Sequence, residues 1–126
     1  MGFFDVGSVP VFSTGAGTAT NPSTTTLIAE LDSTQLNSFS GTKAWPGQVT
    51  WIVGASTLAT LVLEQATSTT IDSTTPRDAI QIQVPVNQSG QYMTKHRIEV
   101  GDRLRVRALS TFTGTAVAKI YAEPLT

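Results

Sequence analysis

His96 is the only imidazole in the chain, so any Ser–His–Asp chemistry would have to run through it. Its surroundings argue against that role. Tyr92, His96 and Ile98 share one parity of an extended stretch, while Lys95 and Arg97 take the other, which places the imidazole at a packed or rim position. The serines lie in turn contexts without a nucleophile elbow. Asp5, Asp32, Asp72, Asp78 and Asp102 are scattered, so a calcium site would have to be assembled from separate loops. No phosphate-binding or dinucleotide fingerprint occurs. The chain has no cysteine, hence no disulfide framework, thiolate metal site or cysteine nucleophile. The expectation is no catalytic residue, no metal and no cofactor.

The residue types favour association instead. Lys95, Arg97, Arg103, Arg105 and Arg107 are five of the eight Lys and Arg. In Arg103-Leu-Arg-Val-Arg-Ala108 the arginines alternate with Leu104, Val106 and Ala108, so a strand here has one apolar and one cationic face. Guanidiniums pair bidentately with carboxylates, and the cationic residues are expected to contact a carboxylate-rich partner. If the preceding segment pairs with this strand as a hairpin, all five cations form one ladder. If the Gly101-Asp102 turn crosses between sheets, they form two patches. Net charge is −1, and aromatics are not interleaved with the cations, so neither nucleic acid nor an anionic membrane is expected. No apolar run approaches the roughly 20 residues that span a bilayer. Trp45, Trp51 and Tyr92 offer an alternative, a stacking platform for a carbohydrate, provided that they are exposed. The poverty of candidate bases makes a small hydrolase the weakest reading.

The elements that must carry these residues are strands. Charged residues make up only 13% of the 126, and Ser and Thr together fill about a quarter, which suits strands and turns. Period-two or short apolar runs occur at 27–31, 48–53, 58–64, 79–86, 91–100, 103–108 and 115–122, separated by turn residues. Seven such strands without a convincing helix predict an all-β antiparallel β-sandwich or jelly roll. Residues 32–48 read as a long loop pinned by Leu36, Phe39 and Trp45. The predicted core contains Ile80, Ile82, Val84, Leu104, Val106 and Ile120. Two strands are apolar on both faces: Val49, Trp51 and Val53 oppose Ile52, and Leu61 and Leu63 oppose Leu58 and Val62. A second cover is therefore expected, and Ile52, Leu58 and Val62 are assigned to an oligomer interface.

Residues 1–25 read as an extended arm and linker, and residues 26–126 as the domain. Phe3, Phe4, Val6, Val9, Val11 and Phe12 are apolar but aperiodic, interrupted by Gly7 and Pro10. A Gly/Ser/Thr-rich stretch follows, with linker composition. The gain from burying six apolar side chains roughly matches the cost of ordering a dozen backbone residues. The arm is therefore expected to order on a partner's groove, with those six residues as the binding element.

Ile98-Glu-Val-Gly-Asp-Arg-Leu-Arg-Val-Arg107 resembles the turn before a late strand in small trimeric jelly rolls of the complement-C1q and tumour-necrosis-factor kind. With Phe112-Thr-Gly-Thr-Ala116, the apolar arm and the hydroxyl-rich surface, the chain resembles the decoration (cement) proteins of tailed-phage heads. That resemblance implies a non-enzymatic homotrimer on the outer surface of a virion, with the major capsid protein as its partner. A tail or fibre component remains open as an alternative.

Overall fold

The computed structural model describes residues 12–13, 17–24, 26–33, 36, 44–67 and 76–124. Its strands are β1 (Phe12–Ser13), β2 (Gly17–Thr20), β3 (Leu27–Leu31), β4 (Trp45–Ala55), β5 (Ala59–Ala66), β6 (Pro76–Val84), β7 (Gln88–Ile98), β8 (Arg103–Ala108) and β9 (Thr115–Pro124). They form two sheets in which every pairing is antiparallel. Sheet A has the order β1-β9-β4-β7, with β2 also on β9; sheet B has the order β3-β8-β5-β6. The pairs β2·β9, β3·β8, β4·β7 and β5·β6 nest inside one another, as in a long hairpin rolled up on itself. This is a jelly roll, and the chain is an all-β sandwich as its alternation implies.

The core lies between the sheets. β4 sends Trp45, Val49, Trp51 and Val53 inward, and all are buried. β9 answers with Ala116, Ala118, Ile120 and Ala122, where Ala118 and Ala122 are the diagonal neighbours of Trp51 across the strand pair. Small residues there leave volume for the indole. Sheet B contributes Leu61, Leu63, Ile82, Val84, Leu104, Val106 and Ala108. Five of the six expected core residues are buried. Ile80 is 40% exposed because β6 is the edge strand of sheet B.

Three boundaries differ from expectation. β4 begins at Trp45, so 45–47 belong to a strand. Pro46 fits because β9 pairs only from Gly47 onward, leaving no amide demanded of the proline on that side. Leu36 sits on a helical turn, its amide donating to the Asp32 carbonyl at 3.1 Å, and its side chain is fully buried. The expected anchor Phe39 lies outside the described residues. The third difference is larger. β1 and β2 are strands of sheet A, so the domain starts well before residue 26. Linker composition misleads here because the sheets approach closely: a Cβ on Gly17 would fall onto the Ile28 carbonyl oxygen. Gly17→Ala is therefore expected to lower stability by about 1–3 kcal/mol. Urea unfolding tests this, and an unchanged midpoint would mean that β2 does not pack on β3.

The 98–103 link crosses from sheet A to sheet B, so β7 and β8 are not a hairpin. Gly101 takes φ +92°, and the Asp102 amide donates to the Glu99 carbonyl at 3.0 Å. The buried Asp102 carboxylate accepts the Glu99 amide and the Gln65 side-chain amide, each at 2.7 Å. Gln65 also donates to the Arg97 carbonyl at 2.8 Å, so one β5 side chain ties the corner to the end of β7.

Candidate functional site

The cations separate into two groups, as a crossing turn requires. Arg103, Arg105 and Arg107 lie on the outer face of sheet B, but they do not form a solvated surface. Arg105 and Arg107 are buried, as is Glu64 of β5. Arg105 Nε donates to Glu64 Oε1 at 2.6 Å, and Arg107 Nε to Oε2 at 3.1 Å. Glu64 stands directly opposite Arg105 in the strand register. Arg103 pairs with Glu30 at 3.1 Å, with both side chains about one-fifth exposed (20% and 18%). The expected contact between this face and an outside acidic partner is therefore corrected for Arg105 and Arg107. Two guanidiniums on one carboxylate hold β8 to β5 within the chain. Glu64 has the parity of Val62, opposite to the core-facing Leu61 and Leu63. Its meeting with Arg105 depends on strand register, which spacing alone does not supply.

Val62 is 2% exposed within a single chain, so it is no surface for a second subunit. Leu58 lies in the β4–β5 turn and is 58% exposed; Ile52 is half-buried on the outer face of sheet A. Phe3, Phe4, Val6, Val9 and Val11 lie outside the described residues. Phe12 belongs to β1, whose backbone pairs with Ala122 of its own chain, so any docking segment must end before it.

Trp45 and Trp51 are buried, which removes them from the stacking platform considered above. Tyr92 is half-buried against the core. Trp51 Nε1 donates to Thr94 Oγ1 at 2.7 Å, and the same hydroxyl lies 2.6 Å from His96 Nε2. His96 meets the Trp51 ring edge-on, with centroids 6.3 Å apart. The imidazole is thus a partner of the core indole, as its parity implies. Among the described residues no group of three or more His, Cys, Asp or Glu could hold a metal ion.

Sheet A has the open outer face. Across β9, β4 and β7 run the rows Val117–Gly54–Ser89, Lys119–Ile52–Gln91, Tyr121–Thr50–Met93 and Glu123–Gln48–Lys95, with Arg97 beyond. Met93 is 58% exposed, and Lys95 and Arg97 are exposed. The Lys119 ammonium stands 4.9 Å from the centroid of the Tyr121 ring. Apolar, amide and cationic groups therefore share one face, with three cations against one carboxylate among its described residues. At its end is a hollow of about 330 Å³ lined by Gly54, Ser56, Asn87, Gln88, Ser89 and Val117, with Ala55 and Thr115.

Fold and surface define a jelly-roll β-sandwich module, and solved structures agree with it at the level of fold. A CBM4 module has TM-score 0.58 at 8% identity, covering 97% of this chain and 81% of the other. The CBM22-1 xylan-binding domain of Paenibacillus barcinonensis Xyn10C has TM-score 0.56 at 12% identity, covering 95% and 83%. The globular domain of zebrafish complement 1qA has TM-score 0.52 at 11% identity, covering 93% and 98%. No protein-family model matches the sequence, and no curated protein does.

Proposed function

We propose that this chain is a non-catalytic module that works by association, as a decoration protein on the outer surface of a virion. Its partners in this reading are the major capsid protein and further copies of itself, in a trimer. The supporting observation is the difference between the two outer faces. That of sheet B is buried at Val62, Glu64, Ala66 and Arg105 within one chain, whereas that of sheet A is open and amphipathic. Lys95, Arg97 and Lys119 suit carboxylates on a coat surface, while Ile52, Met93 and Tyr121 add apolar contact. The arm residues Phe3, Phe4, Val6, Val9 and Val11 supply a second contact. The exposed Leu58 remains the candidate for contact between copies. The Bacillus endospore appendage protein, which forms disulfide-linked pili, is similar in fold (TM-score 0.50, 9% identity, covering 100% of this chain and 98% of the other). The fold therefore suits assembly, although this cysteine-free chain needs other linkages.

The test is co-sedimentation with assembled coat lattice of tailed-phage heads, together with light scattering on the free protein. Pelleting that weakens with salt, and a mass of three chains, are expected. A stable monomer at micromolar concentration contradicts the trimer, and no pelleting contradicts the decoration role.

A second reading, a carbohydrate-binding module, is favoured by the likeness to the CBM4 and CBM22-1 domains. With Trp45 and Trp51 buried, it requires a site elsewhere on the surface.

A further inference from the structure

We propose that the hollow at the end of sheet A binds one or two units of an uncharged saccharide. The hollow exists because of Gly54. That residue sits between Val117 of β9 and Ser89 of β7 in the outer-face register, and its missing side chain leaves a gap in the row. A Cβ there would stand 3.2 Å from Val117 Cγ2 and 3.3 Å from the Gln88 carbonyl oxygen, so even a methyl group raises the floor. The volume, about 330 Å³, is at the small end of ligand sites.

The lining sets the class of ligand. It contains no ionisable side chain, so a charged ligand would lose hydration without gaining a counter-charge. The local backbone is already satisfied: the Ser56 amide donates to the Thr115 carbonyl at 2.8 Å, and the Asn87 amide to the Ala55 carbonyl at 3.0 Å. Ser56 Oγ accepts the Thr115 amide at 2.8 Å. By contrast, the exposed side chains of Asn87, Gln88 and Ser89 make no hydrogen bond among the described residues. Two carboxamides and a hydroxyl, each both donor and acceptor, match the vicinal hydroxyls of a sugar. Val117, 42% exposed, offers an apolar wall for the C–H face of the ring. None of these residues belongs to the aromatic platform considered from sequence.

The class of ligand rests on the carbohydrate reading; the place does not. The test is two-dimensional amide NMR of the ¹⁵N-labelled protein titrated with glucose, xylose, N-acetylglucosamine and their β-1,4-linked hexamers. At least one probe is expected to shift the amides of 54–56, 87–89 and 115–117, with a Kd on the order of 1 mM. Gln88→Ala and Ser89→Ala, both on exposed positions, are each expected to weaken binding at least threefold without changing the melting temperature. Gly54→Ala is expected to abolish binding. Shifts confined to other residues overturn this site but leave the carbohydrate reading standing. No shift with any probe overturns both. Binding that survives Gly54→Ala and Gln88→Ala unchanged also overturns the site.

Discussion

Glu64→Gln is expected to destabilise the fold by about 3–5 kcal/mol, the cost of removing one partner from a buried ion pair. The substitution keeps the shape of the side chain and removes its charge. Arg105 and Arg107 then lose the carboxylate that faces each of them, at 2.6 and 3.1 Å, in a region closed to water. Glu30→Gln on the same sheet face is the internal control. Its pair with Arg103 is partly exposed, so its loss costs no more than about 1 kcal/mol. Urea unfolding of the two variants side by side measures the difference. If Glu64→Gln costs as little as Glu30→Gln, the pair is hydrated in solution and Arg105 and Arg107 are accessible after all.

Val106→Asp is expected to cost about 4 kcal/mol or more, a large part of the 5–15 kcal/mol that keeps a domain folded. Val106 is fully buried and faces Leu63 on one side and Ala29 on the other. A carboxylate there has no cation on its own face, because the arginines of β8 all point to the opposite one. Val106→Ala separates charge from volume, with an expected cost of roughly 1–3 kcal/mol. Near-ultraviolet circular dichroism, which reports the packing of Trp45 and Trp51, is expected to be native for the alanine variant and lost for the aspartate. A native spectrum and unchanged melting for Val106→Asp would contradict the inward parity of β8.

The fold was legible where one face of a strand is dry. Alternation marked Ile82, Val84, Leu104, Val106 and Ile120, and the Gly101-Asp102 turn was plain from its residue types. The β2 strand was hidden because the close approach of Ile28 selects a glycine at 17, and the exposed Thr18 and Thr20 complete a composition that also makes a linker. Ile80 obeys its parity but sits on an edge strand, a fact of topology and not of local pattern. Arg103, Arg105 and Arg107 share the face that alternation predicts, yet Arg105 and Arg107 are buried on it. Glu64, which accounts for it, lies some forty residues away in sequence, beyond the reach of any local pattern. The same limit concealed the hollow at Gly54, whose lining comes from three strands and two turns. Whether Trp45 and Trp51 face the core or a ligand depends on which face of β4 meets the second sheet. The parity that Trp51 shares with Val49 and Val53 favours its burial, whereas Trp45, read as a loop anchor, carries no such signal.

In the proposed decoration role, the outer face of sheet A, and not the arginine strand of sheet B, meets the partner. Co-sedimentation of a Lys95→Glu, Lys119→Glu variant with assembled coat lattice tests it most directly. Both residues lie on an open face away from the core, so the variant is expected to melt like the parent. It is expected to stay in the supernatant where the parent pellets, while Glu30→Gln pellets normally. A double variant that pellets as fully as the parent contradicts the claim.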